Sequence, residues 1–452
     1  MIKNLKNIFN IPELKNRILF TLGMIAVFRL GTHIPVPGID PKALSNLFGS
    51  AGGGILGFLD LFSGGALLRF SVFALGIAPY INASIIFQLL TYVIPSLEQL
   101  AKEGGEEGRL KISQYTRYAT VVIAVLQGFG MSLMLRNYNV LTPYMANNFY
   151  FFVINTVLTL TAGAVFVMWL GEKMTEKGIG NGISMLIFAG IVARLPQAIF
   201  ATFKNYQESP LLIPWMVLII IVALAIVGFV VIIQEATRKI PVQYAKRVVG
   251  RRVYGGHSTY IPLRVNQSGV MPIIFASSIL IFPGMVLEMI TRNLDIQGRF
   301  YDALVTLGKW FAPDHPFHMT LYALFIIGFT YFYTAIVMNP KELADNMKKY
   351  GGFIPGIRAG RWTAEFIDRV MVRITLAGSI FLAAIALVPT ILIVAFKVPF
   401  YFGGTALLIV VGVASDTMKQ MEAHMLTRHY EGFLKKKWGY NEYIIAWCTW
   451  SR

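Results

Sequence analysis

The chain has 452 residues, 56% of them hydrophobic and 14% charged, with a formal net charge of +17 at pH 7. A mean hydropathy of +0.60 excludes a multi-domain soluble protein and places the chain among polytopic membrane proteins. One cysteine, Cys448, excludes an intrachain disulfide and a thiolate metal site.

A bilayer core takes roughly 20 apolar residues as a helix. On that measure ten spans are predicted, at about 17–36, 71–94, 114–135, 149–171, 183–203, 211–234, 267–291, 318–338, 369–395 and 400–419. The first follows a basic N-terminus (Lys3, Lys6, Lys15, Arg17) and lacks a small-x-small cleavage site, so it is read as a retained anchor. The second belongs to a longer apolar stretch, Gly52 to Leu90, whose charges are Asp60 and Arg69. That stretch is too long for one span and too short for two and a loop. The expected solution is a half-helix over Ile55 to Phe62, a break at Ser63-Gly64-Gly65, then one full span from about Ser71. Broken backbone at membrane depth needs protein or a water-filled cavity around it. The half-helix either sits in such a cavity or lies on the surface as an amphipathic helix; the residues alone leave both open. The sixth span is the plainest, with no charge from Leu211 to Ile233.

Alternate loops are unequal in Lys and Arg, which sets orientation. The N-terminus, the loops 95–113, 172–182, 235–266 and 339–368, and the C-terminal tail are basic. Loop 235–266 holds Arg238, Lys239, Lys246, Arg247, Arg251, Arg252 and Arg264. The opposite loops hold Lys42, Arg136, Lys204, Arg292, Arg299, Lys309 and Lys397. Both termini are therefore expected in the cytoplasm. Anionic membrane lipids account for part of this bias. The length of the basic loops points further, to docking of a large anionic particle or a large protein, with plain positive-inside bias as the alternative.

The chemistry of the spans is sparse. No H-E-x-x-H, G-x-S-x-G or intramembrane acidic pair is present. His315 and His318 lie in an outer loop without a neighbouring carboxylate in sequence, and read as a surface pair. Gly178-Ile-Gly-Asn-Gly182 has the wrong spacing for a nucleotide loop and reads as a helix-start turn. The glycosylation triplets at Asn82 and Asn266 fall in spans or at their edges and are dismissed. No span carries Asp or Glu near its centre, which weakens an ion-coupled transporter. Arg29 and Arg194 lie near span ends and are read as snorkelling. Asn82, Gln88, Gln127 and Asn266 are neutral amides in or beside spans. Burying an amide without a partner is costly. Three of them on separate helices form a separable clasp, or each is bonded locally; both remain open.

Eight strings in order then become recognisable. Ile34-Pro-Val-Pro-Gly-Ile-Asp40, Phe62-Ser-Gly-Gly-Ala66, Ala74-Leu-Gly-Ile-Ala-Pro-Tyr80 and Lys111-Ile-Ser-Gln-Tyr-Thr-Arg117 resemble the SecY family of protein-translocation channel subunits, in its bacterial form. So do Glu176-Lys-Gly-Ile-Gly-Asn-Gly-Ile-Ser184, Gly250-Arg-Arg-Val-Tyr254, Phe353-Ile-Pro-Gly-Ile-Arg358 and Val398-Pro-Phe-Tyr-Phe-Gly-Gly-Thr405. The match runs from about residue 3 to 437.

The resemblance implies an all-α integral membrane protein of the bacterial inner membrane. Its ten transmembrane helices would form two pseudo-symmetric five-helix halves, 1–203 and 204–437, around a central pore. The half-helix, with Ile55, Leu56, Phe58, Leu59, Leu61 and Phe62, would be the plug. The pore ring carries over to Ile77, Ile81, Ile183, Ile187, Ile274 and Ile409. Ile77/Ile81 and Ile183/Ile187 are i, i+4 pairs, which share a helix face. A narrow apolar ring dewets and blocks ions while deforming around a passing chain. Asn82, Gln127 and Asn266 fall where the family has its lateral gate, between spans two and three and spans seven and eight. Arg358 matches a functionally sensitive arginine, and Arg251 and Arg252 match basic docking residues. The implied partners are the small membrane subunits SecE and SecG, the SecA ATPase, the ribosome and secretory polypeptides. The expected protein is a passive channel and no enzyme; without a nucleotide motif or cofactor, the driving energy comes from partners. The runner-up is a small-solute secondary transporter, which also uses inverted repeats and broken helices.

Residues 438–452 depart from the family pattern. Trp438, Trp447 and Trp450 and the sole cysteine crowd into this tail. It is read as an artificial or out-of-frame extension, with an interfacial aromatic anchor as the alternative.

Overall fold

The computed structural model describes residues 11–50, 60, 63–102, 104–207, 213–244, 247–249, 252–254, 258–293, 299–312, 315–396 and 405–425. Ten helices among them overlap the ten predicted spans. They are α1 (Pro12–Gly31), α2 (Ala78–Val93), α3 (Gly105–Asn137), α4 (Phe149–Lys177), α5 (Gly182–Gln207), α6 (Ile213–Glu235), α7 (Met271–Asn293), α8 (Pro316–Val337), α9 (Arg361–Phe396) and α10 (405–425). By length and hydropathy alone, Gly105–Asn137, Phe149–Lys177, Pro316–Lys349 and Arg361–Val388 are fit to cross a bilayer. Helix α2 joins them if it and Pro95–Ala101, bent by 102° from it, count as one broken span. The bend has a local cause: Ile94 is extended (φ −98°, ψ 113°), as the residue before a proline prefers.

The second span differs from the expectation. Its helix begins at Ala78 and not at Ser71, and residues 63–77 run as successive turns. Phe70 (φ 42°) and Gly76 (φ 55°) take left-handed backbone, which stops a helix from propagating through them. Pro79 in the first turn then fixes where the helix can start. The irregular stretch is satisfied by pairing: Val36 N–H donates to Phe70 O (2.9 Å), and Val72 N–H donates to Ile34 O (2.9 Å). Ala66, Phe70, Phe73 and Ile77 are buried, so this backbone lies within protein, as membrane-depth loops must. Gly163 on α4 permits the approach, since a Cβ there would overlap the Val72 carbonyl.

Helices α1 to α5 pack among themselves, α3 against α2 and α4, and α4 also against α1 and α5. Later in the chain, α8 packs against α7 and α9, and α6 touches α9. Helix α7 also lies against α2 and α3. One buried apolar cluster runs through the centre, with members from α1, α2, α4 to α10 and the 63–77 stretch. A second cluster joins Val36, Leu67, Phe70, Ala74 and Leu75 to α3 and α4.

The two long basic loops carry β-structure that the all-helical reading did not foresee. Strand β1 (Thr237–Tyr244) is followed by a small hairpin, β2 (Arg247–Val249) and β3 (Arg252–Tyr254), and then by β4 (Ser258–Arg264). Strand β1 pairs antiparallel with β4, from Thr237↔Arg264 to Gln243↔Ser258. Its other edge takes β5 (Gly352–Phe353) from the second loop. Alternation turns Ile240 and Val242 inward, onto Leu263, Met347, Ile354, Ile367 and Met371. Strands β1, β4 and β5 thus join parts of the loops 235–266 and 339–368 in one platform packed on the start of α9.

Candidate channel waist, gate and docking platform

The predicted ring residues converge from four parts of the chain. Ile77 caps the N-terminus of α2 and Ile81 follows one turn on. Ile183 and Ile187 lie on α5, Ile274 on α7 and Ile409 on α10. Ile77, Ile81, Ile187, Ile274 and Ile409 are each at most 5% exposed and belong to one cluster; Ile183 packs against it. Ile77 and Ile183 both face Gly171 on α4, where an added Cβ would lie 3.4 Å from each. These side chains form no polar contact by nature, so their packing excludes water through apolar burial alone.

Helix α5 is placed by its start. Asn181 Oδ1 accepts from Ile183 N–H (3.1 Å) and Ser184 N–H (3.2 Å), capping the helix as the helix-start reading expected. The preceding turn is held on both sides. Ile179 N–H donates to Thr21 Oγ1 of α1 (3.1 Å), and Gly180 N–H donates to Gln420 Oε1 of α10 (2.9 Å).

The amides are distributed unequally. Gln127 is buried on α3, and Asn82 is partly buried on α2. Asn266 lies before α7, not within it, and is bonded in its own turn: its Nδ2 donates to Gly269 O (3.0 Å), and Ser268 Oγ donates to its Oδ1 (3.2 Å). For Asn266 the structure therefore takes the local of the two readings. Gln88 likewise bonds within its helix, donating to Ser84 Oγ (3.2 Å). What does meet is the helices, with α7 lying on α2 and α3.

Beside this turn, on the side of the basic loops, opens a cavity of about 410 Å³. Asn181 and Ser184 line it from the start of α5, Arg264 from the end of β4, Gln267 from the β4–α7 link, and Asp416 and Lys419 from α10. Val270, Met271 and Val413 add apolar groups to the same lining.

The platform holds the docking candidates. Arg358 is exposed between β5 and α9, and its carbonyl accepts from Thr363 Oγ1 (2.9 Å). Arg252 opens β3, while Arg251 lies outside the described residues. The plug residues Ile55, Leu56, Phe58, Leu59, Leu61 and Phe62 and the tail 438–452 also lie outside them.

Sequence reasoning missed the role of two arginines. Arg29 and Arg194, read as snorkelling, reach Gly64 and Asp60 instead. Arg29 Nη1 donates to Gly64 O (2.8 Å), and Arg194 pairs with Asp60. The available signal was Asp60 itself, since a carboxylate in an apolar stretch requires a partner.

Ten helices that overlap ten apolar runs, packed around one buried apolar cluster, define a multi-helix integral membrane protein. The family model described as SecY matches residues 71–418. Protein translocase subunit SecY of Streptomyces galbus is 49% identical over 439 residues, covering 94% of this chain and 98% of its own. The subunit of the same description from Escherichia coli K12 is 48% identical, covering 94% of each chain. Among solved structures, that of a protein-conducting channel aligns with a TM-score of 0.63 at 17% identity, over 91% of this chain and 93% of its own. A channel studied for its plug domain aligns at 0.62, also at 17% identity and with the same coverage. The chain belongs to the SecY family.

Proposed function

We propose that this chain is a protein-conducting channel that passes unfolded polypeptides across the cytoplasmic membrane and releases apolar segments sideways into lipid. The observation that carries this reading is the waist: isoleucines from α2, α5, α7 and α10, and from the turn before α2, packed in one cluster, with a cavity of mixed polar and apolar lining at the start of α5 and α7. An entering chain meets polar groups that hydrogen-bond it, then an apolar ring that grips without direction and reseals by dewetting. The contact of α7 with α2 and α3 is the seam through which a sufficiently apolar segment leaves. Residues 1–203 and 204–437 act as two halves that part along this seam, with Asn82 and Gln127 on the helices that line it.

The segment before Ser63, with Ile55 to Phe62, serves as the plug. Both termini and the platform face the cytoplasm, where Arg358, Arg251 and Arg252 receive the ribosome or the SecA motor. SecE and SecG complete the membrane complex. Ribosome docking has support in the fold likeness to Sec61 in a ribosome-channel complex (TM-score 0.59, 16% identity, 91% of this chain and 93% of that one).

Single-channel recording tests the proposal. The purified channel with its small subunits is expected to be silent, and a version lacking Gly57 to Leu67 to flicker open with large conductance. A deletion that conducts no better removes the plug and returns weight to a solute transporter.

A further inference from the structure

Aromatic rings tie together the helices on each side of the seam. On one side, Phe87 of α2 stacks on Tyr115 of α3, with ring centroids 6.2 Å apart. On the other, Phe275 of α7 meets Phe329 and Tyr333 of α8 edge-on, each at 6.0 Å. Between the two pairs of helices, Tyr92 of α2 meets Phe332 of α8 at 5.3 Å, with the ring planes 71° apart. Edge-to-face contact is favourable because the positive edge of one ring meets the negative face of the other. Tyr92 stands at the end of α2 before the loop 95–113, and Phe332 near the end of α8 before the loop 339–368. The crossing contact therefore lies at the basic-loop end of the seam.

One turn before Tyr92, the same helix carries a group that works against this contact. Ser84, Gln88 and Tyr92 follow at intervals of four and share a face. Gln88 Nε2 donates to Ser84 Oγ (3.2 Å), but its Oε1 is buried without a hydrogen-bond partner among the described residues. A buried acceptor left unpaired carries its full desolvation cost, which is relieved when parting helices let water reach it. The closed seam is thus held by a ring contact of modest strength, beside a group that is better satisfied when the seam opens.

We propose that Tyr92, Phe332 and Gln88 are specificity-determining residues for sideways release: the ring contact holds the basic-loop end of the seam closed against the half-satisfied amide, and the balance sets how apolar a segment must be to leave. This rests on the reading of α2, α3, α7 and α8 as the lateral exit. A segment leaves only while the seam is open, and exit competes with onward passage. The population of the open seam therefore fixes the apolarity at which the two outcomes balance. Tyr92 is 51% exposed, as an interfacial anchor would also be, but an anchor has no need of a ring on a neighbouring helix.

The test uses the assembled channel and a secreted carrier protein bearing a segment of about 20 residues, alanine with increasing leucine content. The readout is the ratio of membrane-retained to translocated carrier. For the segment that the native chain divides equally, Tyr92→Ala and Phe332→Ala are each expected to raise that ratio about twofold to tenfold. The double variant is expected to match the singles, since both remove one contact, and Tyr92→Phe to behave as the native chain. Gln88→Met removes the unpaired acceptor at similar volume and is expected to lower the ratio about fivefold or more. A shift in Tyr92→Ala without one in Phe332→Ala makes Tyr92 an interfacial anchor and overturns the clasp. Tyr92→Phe behaving as Tyr92→Ala overturns it too, and an unchanged ratio in Gln88→Met overturns the opposing role of the amide. The lateral exit is tested separately, by bridging Tyr92→Cys and Phe332→Cys with a bismaleimide in a Cys448→Ser chain. If bridging abolishes retention of the most apolar segment while the substitutions leave the ratio unchanged, the lateral exit stands and the proposal falls. If the bridged channel retains that segment fully, the lateral exit falls and the proposal with it.

Discussion

Removing the apolar closure of the waist ought to open it. Ile187 and Ile274 are 0% and 1% exposed and come from different helices, α5 and α7. Truncating isoleucine to alanine deletes three carbon groups, each worth about 0.8 kcal/mol of burial, or about 2.4 kcal/mol per site. Two sites give about 5 kcal/mol, an upper bound because the open ring keeps some of its contacts. At about 1.4 kcal/mol per decade, the resting open-to-closed ratio rises by up to about three orders of magnitude. The assay is single-channel recording of the Ile187→Ala/Ile274→Ala double variant at rest. The control is Ile154→Ala with Ile380→Ala, which makes the same chemical change at exposed positions (60% and 54%) and is expected to be silent. A double variant that folds, assembles and stays closed would refute the reasoning, because the seal would then not depend on these side chains.

Two further outcomes follow from the structure. Arg358→Glu reverses a charge on an exposed part of the platform and should abolish transport while membrane insertion of the chain stays intact; normal secretion by that variant sinks the docking assignment. Gly163→Ala places a methyl on the Val72 carbonyl, a backbone atom that cannot rotate away. The expected cost is about 1–3 kcal/mol, read as a lower midpoint of thermal unfolding, and an unchanged midpoint refutes the close approach.

Much of the architecture was legible because a bilayer imposes a length on every apolar segment. Each predicted span overlaps a helix, and the helix-start reading of Gly178 to Gly182 holds because Asn181 caps α5 through its own side chain. The second span was misplaced for a physical reason. Ser71 to Ile77 is as apolar as a helix, but hydropathy does not report the left-handed backbone of Phe70 and Gly76 or its pairing with Ile34 and Val36. The β-platform was hidden similarly. Strand β5 has two residues, and its partner β1 lies more than a hundred positions earlier, so no local pattern announces the pairing.

The sequence by itself determined that the chain lives in a membrane, where its spans fall, and which family it resembles. These are properties of composition, of apolar run length and of short ordered strings, all local along the chain. Only the tertiary structure decided which isoleucines face one another, that Asn266 satisfies itself in a turn, and that Arg29 and Arg194 meet Gly64 and Asp60. Those outcomes depend on helix rotation and approach, set by the packing of residues far apart in sequence. In an apolar span a core isoleucine and a lipid-facing one read alike, because lipid and protein interior are equally dry. A buried charge shows that it needs a partner, but the fold chooses which one.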